Sequence, residues 1–304
     1  MVKIHKLNIK QPLYNLFLIR HGASIWNLKK MFTGWTQIPL SIDGYKDAYY
    51  IKKKIRDLGV IPNQIITSGL KRAIFTSDII RNDNFDMPIY TSWRLNEKHY
   101  GDLEGVTRTY IANMESEEEL HNIRNSYNTR PPILVQKPNI YNHDYFLYPH
   151  YPISYNDMNK YCICRSKLSP AHPNECDMNL LIEYNNRVCD DCEVYKDNNY
   201  QYINEKLLSW NCGHSRYITG ETNKEVEYRL MPLIHRVLYE KITINMPNTL
   251  IISHKHPIRL IMKHFLNIAD DEFTDYKLPN KSIIHIKLDK DKNYVGHEYY
   301  PYYE

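Results

Sequence analysis

Four short runs, "NLFLI" (15–19), "QIITS" (64–68), "TLIIS" (249–253) and "SIIHIKL" (282–288), are β-branched and mostly apolar. A strand wetted on one face alternates apolar with polar residues, whereas a strand covered on both faces does not. The runs therefore predict strands inside a sheet that helices cover on both sides. Helix patterns stand between them. Ser41 is a candidate cap for "IDGYKDAYYIKKKIRDLG", which stops at Gly59, and Thr222 leads into a segment whose Val226, Leu230, Leu233, Val237 and Leu238 recur at helical spacing. Strand alternating with helix predicts an α/β fold: a three-layer α/β/α domain on a mostly parallel central sheet.

A chain of 304 residues, 42% of them hydrophobic, has material for a core of that kind. No run reaches the eighteen or so consecutive apolar residues a membrane helix needs, and the N-terminal "MVKIHKLNIKQPLYN" lacks the apolar centre of a secretory leader. The expectation is a cytoplasmic protein without a membrane partner. A net charge of only +4 suits small anions and gives no case for nucleic acid as a partner.

All six cysteines fall between Cys162 and Cys212. Pro131, Pro132, Pro138, Pro149 and Pro152 mark an irregular stretch leading into that segment. Residues 156–215 carry a net −3 against +7 for the remainder. The chain thus reads as one domain in two parts, 1–155 and 216–304, interrupted by a cysteine-rich insert at 156–215. Two sets of ligands stand in the insert: Cys162, Cys164, His172 and Cys176, then Cys189, Cys192, Cys212 and His214. Each set offers four thiolates and imidazoles, the complement of tetrahedral zinc, so one or two structural zinc ions are expected. Reduced thiols in a tyrosine-rich loop domain, or disulfides in an oxidising compartment, are the competing readings.

The first strand runs straight into chemistry. "LFLIRHG" places Arg20 and His21 just past a buried strand, and "TLIISH" does the same with His254. In open α/β sheets ligands bind at the carboxyl ends of the strands, so these side chains are already in a site. With Arg72 from "LKRAIFTS" they make a cationic pocket matched to a phosphoryl group. A neutral imidazole is a competent nucleophile toward phosphorus. Glu97, in "WRLNEKHYGDLEG", is the candidate proton carrier, provided that it reaches the pocket with its pKa raised by burial. Trp26, Trp35 and Trp93 are read as core rather than site.

The "RHG" block, "FTGW" (32–35), "LKRA", the "LNEKHYG" block and the second-histidine strand together resemble the cofactor-dependent phosphoglycerate mutases of the histidine phosphatase superfamily. The resemblance spans roughly 15–155 and 216–290. It implies that His21 is the phosphorylated nucleophile, that Arg20, Arg72 and His254 hold the transferred phosphate, and that Glu97 is the general acid/base. It implies that Asn27, Thr33, Gly34, Tyr100, Arg108 and Arg124 line the substrate end. It further implies a glycolytic isomerase interconverting 3- and 2-phosphoglycerate, primed by 2,3-bisphosphoglycerate, without a catalytic metal, and assembled as a homodimer. Departures stand at Ala23 for the family's glutamate, at Arg108 for its lysine, at Arg124-Asn125 for its arginine pair, and at Lys255-His256 for its glycine and asparagine. The missing second arginine weakens the grip on the substrate's carboxylate or second phosphate, with Arg130 or Lys255 as replacements. Two readings compete with the mutase: a phosphatase of small phosphate esters using the same phosphohistidine, and a weakly active homologue whose insert is a binding module.

Overall fold

Residues 13–81, 84, 86–132, 220–279 and 281–303 are described by the computed structural model. The cysteine-rich insert and all eight candidate zinc ligands lie outside the described residues. Among the described residues six strands form, β1 (Tyr14–Arg20), β2 (Gln64–Thr67), β3 (Ile89–Thr91), β4 (Asn248–Ser253), β5 (Ser282–Leu288) and β6 (Tyr294–Pro301). They make one sheet in the order β3-β2-β4-β1-β5-β6. The neighbours from β3 to β1 run parallel, while β5 and β6 are antiparallel. The four apolar runs are β1, β2, β4 and β5. β3 and β6 escape such a reading because β3 is three residues long and β6 is a half-exposed edge with no apolar run.

The helices are α1 (Ile25–Leu28), α2 (Ile42–Asp57), α3 (Lys71–Arg81), α4 (Arg108–Met114), α5 (Glu117–Asn125), α6 (Asn223–Arg236) and α7 (Lys255–Leu266). Ser41 caps α2 by accepting from Gly44 N at 3.1 Å, and Thr222 caps α6 in a reciprocal pair with Glu225. Val237 and Leu238 belong to a wider π-type turn, Val237–Lys241, that continues α6.

Because side chains of a strand point to opposite faces in turn, β1 feeds two cores. Phe17 and Ile19 pack with Ile51 and Ile55 of α2 and Ala73 and Ile80 of α3. Leu16 and Leu18 pack with Val226, Leu230 and Leu233 of α6 and Ile258 and Ile261 of α7. This gives the three expected layers, each large aliphatic side chain contributing roughly 1.5–3 kcal/mol by leaving water. A third, smaller cluster of Phe32, Tyr100, Leu103, Val106, Ile111, Leu120 and Ile123 holds α4 and α5 as a cap. No helix among the described residues is long and apolar enough to cross a membrane.

Candidate active site

The parallel strands β1 and β4 end side by side. His21 N donates to Ser253 O at 3.0 Å, extending their ladder by one residue and fixing His21 at the sheet's carboxyl edge. His254 follows Ser253, and the two imidazoles lie 4.8 Å apart between centroids. His21 Nδ1 is 2.6 Å from Gly22 O, which only accepts, so Nδ1 carries the hydrogen. Nε2 is left with its lone pair, within 3.2 Å of Arg72 Nε. Burial first, then Arg72 and Arg20, hold the His21 pKa well below the ordinary histidine value. Its ring is therefore neutral at pH 7, as a nucleophile requires. His254 is kept neutral by burial, Arg72 and His21. Its Nε2 lies 2.7 Å from Ser68 Oγ, whose hydrogen finds its acceptor there, leaving the His254 hydrogen on Nδ1.

Gly22 is needed for close approach. A Cβ there would meet Gly44 O at 2.1 Å, and one on Gly44 would meet Ala23 O at 2.0 Å. The "RHG" turn thus lies backbone to backbone on the start of α2.

The "FTGW" loop is tied down from two sides. Gly34 takes a left-handed φ of +48°, and a Cβ on it would run into Glu104. The Glu104 carboxylate accepts from Trp35 N at 3.0 Å, Thr36 N at 3.1 Å, Thr36 Oγ1 at 2.7 Å and Tyr100 N at 3.2 Å. Arg72 donates to Gly34 O at 2.8 Å and Thr36 O at 3.1 Å, so the guanidinium beside His21 is itself held by that loop.

Glu97 reaches the pocket on a propped loop. Trp35 Nε1 donates to its carbonyl at 2.7 Å. Arg229, buried in α6, donates to Arg94 O, Asn96 O and Glu97 O at 2.8–3.0 Å and is neutralised by two contacts to Glu221 at 2.7 and 2.9 Å. Glu97 Oε1 takes Lys98 N at 2.9 Å, His256 N at 3.2 Å and His256 Nδ1 at 2.8 Å. Burial pushes the carboxyl up, but His256, His254 and the Lys98 N–H outweigh it, and the pKa lies well below the usual carboxylate range. The raised value expected from burial is thus reversed by these donors. His256 Nε2 is 2.6 Å from Arg124 O, also an acceptor. With oxygens at both ring nitrogens, the contacts call for two hydrogens. Burial, against the pull of Glu97, lowers the ring's pKa to about 4. The ring is therefore neutral at pH 7, and its single hydrogen serves either Glu97 or Arg124 O.

A cavity of about 490 Å³ opens here, lined by Arg20, His21, Asn27, Thr33, Gly34, Arg72, Glu97, Tyr100, Arg108 and Arg124. The structure therefore brings together the residues expected at the phosphoryl and substrate ends, with the His254 ring tilted at 57° to that of His21. Asn125, Lys255, His256, Arg259, Tyr276, Lys277 and Lys281 also line it. His256 and Arg259 stand in the "SHKHPIR" block, where closeness in sequence to the strand end at His254 was the available signal. The 276–281 segment carried none. Glu97 is the one acid among the lining residues. Arg20 Nε, Arg108 Nε, His254 Nδ1 and Thr33 Oγ1 are buried without a hydrogen-bond partner among the described residues. Of the two candidate replacements for the missing arginine, Arg130 is engaged elsewhere, on Gly220 O and Glu225. Lys255 lies in the cavity and donates to Asn125 Oδ1 at 2.8 Å. A neutral imidazole, converging cations and a carboxylate paired with a second imidazole are equipped for in-line phosphoryl transfer.

Residues 16–138 and 181–298 match the family model of the histidine phosphatase superfamily, branch 1. The chain belongs to this superfamily. Among curated histidine phosphatase relatives, the 2,3-bisphosphoglycerate-dependent phosphoglycerate mutase of Haemophilus influenzae strain PittEE is 28% identical over 286 residues, 93% of this chain and 99% of its own length. The protein of that name from Staphylococcus haemolyticus is 24% identical, over 93% and 98%. Solved structures share the fold. Mycobacterial hydrolase 1 superposes with a TM-score of 0.57 at 14% identity, covering 94% of this chain and 96% of that one. YhfR of Bacillus stearothermophilus gives 0.53 at 19%, over 92% and 93%.

Proposed function

We propose that the protein is a phosphoglycerate mutase working through a phosphohistidine at His21. The observation that carries this reading is the cavity's composition: a neutral His21, whose Nε2 lone pair faces Arg72 Nε, shares it with Glu97 and with more cation than one phosphate requires. The names of the curated relatives point the same way.

The lone pair of His21 Nε2 attacks the phosphorus of the bound ester, and the bond from phosphorus to the substrate oxygen breaks. The departing oxygen takes its proton from the Glu97–His256 pair, which gains one when the anionic ester enters among the cations and raises the pKa of both groups. Arg20, Arg72 and His254 neutralise the three equatorial oxygens, with His254 offering its Nδ1 hydrogen. In the return transfer the pair takes the proton of the attacking hydroxyl. Asn27, Thr33, Gly34, Tyr100, Arg108 and Arg124 would orient the glycerate.

The unpartnered donors Arg20 Nε, Arg108 Nε and His254 Nδ1 fit a polyanion such as 2,3-bisphosphoglycerate, which when bound supplies the phosphoryl group that primes His21. Asn125 favours a second reading. With one guanidinium fewer, a monophosphate that leaves before the return transfer lets water hydrolyse the phosphohistidine, and the protein is then a phosphatase of small esters.

The deciding experiment offers purified protein 3-phosphoglycerate with and without 2,3-bisphosphoglycerate and follows isomer exchange and free phosphate together. Exchange that depends on the bisphosphate, with an acid-labile label absent from His21→Ala, supports the mutase. Phosphate release without exchange supports the phosphatase, and label retained in His21→Ala refutes both.

A further inference from the structure

Lys255 opens α7, yet its side chain lies half-buried along the cavity, with Nζ on Asn125 Oδ1. Asn125 ends α5, next to Arg124. Two elements far apart in sequence thus bring an amide and a lysine amine together on the cavity wall, next to Arg124. We propose that Lys255, held by Asn125, is a specificity-determining anchor for the substrate's second anionic group, the carboxylate of phosphoglycerate. This rests on the phosphoglycerate reading above.

The surroundings explain how such a lysine would act. Arg124 from α5, Arg259 one turn along α7 and Arg20 from the end of β1 bear on it, with Glu97 as the opposing charge and His256 as its chain neighbour. Burial first, then those three guanidiniums, push its pKa down to about 6. In the empty cavity at pH 7.5 the amine is mostly neutral, which spares the site one more like charge. An arriving carboxylate reverses the balance and draws a proton onto Nζ. Anion recognition is then coupled to proton uptake, which a permanently charged arginine does not show. A compact ammonium on a flexible stem also reads charge more than shape, so the amide of Asn125 is needed to aim it.

The test measures binding by calorimetry in a His21→Ala background, which stops turnover, at pH 7.5 in two buffers of different ionisation heat. Two ligands are compared, 3-phosphoglycerate and glycerol 3-phosphate, which differ in carrying a carboxylate or a hydroxymethyl group. The expected result is a preference for 3-phosphoglycerate with proton uptake in excess of that for glycerol 3-phosphate. Lys255→Met should cut the preference about tenfold or more, as for loss of a charge-assisted hydrogen bond, and abolish the excess uptake. Lys255→Arg should keep the preference and lose the excess uptake. Asn125→Ala, which leaves the lysine in place, should reduce both. Unchanged preference and uptake in Lys255→Met overturn the inference, even where His21 of the intact enzyme is phosphorylated and the proposed function stands. The reverse is also readable: a Lys255-dependent preference without phosphorylation of His21 upholds the anchor and overturns the function. Binding of neither ester overturns both.

Discussion

Glu97 and His256 form a pair whose behaviour neither residue would show alone. Three N–H groups converge on one carboxylate oxygen, which favours the anion, while the oxygens at both ends of the imidazole favour a ring with two hydrogens. Glu97→Gln keeps the shape but cannot carry the proton, and turnover should fall about a hundredfold or more with substrate binding largely retained. His256→Asn still offers Glu97 a donor but removes the second seat for the proton. Its kcat should fall about tenfold and the acid limb of its pH–rate profile should shift, while KM stays close to wild type. A profile identical to wild type would make His256 a packing residue. "LNEKHYG" alone pointed to Glu97, but its partner lies 159 positions away, and no local pattern announces a contact of that length.

At the level of elements, the catalytic loop depends on α6, whose apolar stripe was plain from its spacing. The opposite lesson comes from Arg229 and Glu221, buried polar residues flanking that stripe, which periodicity treats as solvated. Their side chains are 1% and 0% exposed, and Arg229 holds the carbonyls of Arg94, Asn96 and Glu97 in the Glu97 loop. Removing one partner of a buried pair leaves the other uncompensated, so Arg229→Met should lower stability by about 3–5 kcal/mol in urea unfolding. Adding Glu221→Gln should recover much of that loss, because no orphaned charge remains. Activity should stay depressed in the double variant, since the carbonyls of the loop are still unsupported. Gly44→Ala offers a second check on element packing: its methyl would stand 2.0 Å from Ala23 O, so the "RHG" turn must shift and activity should fall even where the protein folds.

Across the whole molecule, the buried ionisable groups set an unusual pH optimum. Lys98, whose Nζ donates to Ile123 O and Thr129 O, is pushed down to about 7 by burial against the pull of Glu221 and Glu97, and Lys255 lies at about 6. Between those values and the ordinary lysine value near 10.5, the unfolded chain binds protons that the native state does not, so stability rises with pH. His21 and His254, both lowered, add to the loss below about pH 6.5. On the alkaline side, Tyr100, Tyr127 and Tyr276 are raised by burial, so the unfolded chain ionises first above about pH 10 and stability falls. Thermal melts from pH 5 to 11 should therefore peak at about pH 8 to 10, above the usual range. A maximum at pH 6 would mean that Lys98 and Lys255 are charged in the native state.

Chain order alone revealed the strands covered on both faces, the caps at Ser41 and Thr222 and the blocks that hold His21, His254, Arg72 and Glu97. Each of these is a local regularity, a run, a cap or a strand end followed by a charged residue, and local regularities survive in a linear text. The antiparallel edge of β5 and β6, the grip of Glu104 on the "FTGW" loop, the Arg229 prop and the Lys255–Asn125 and Glu97–His256 pairs became visible on folding. They join residues 68 to 159 positions apart, or, for the edge strand, rest on pairing with a neighbour rather than on apolar content. Burial then changes what the residues are: Lys255, which in the sequence stands as a charged replacement for the missing arginine, is, among three guanidiniums and out of water, a neutral amine at pH 7.5.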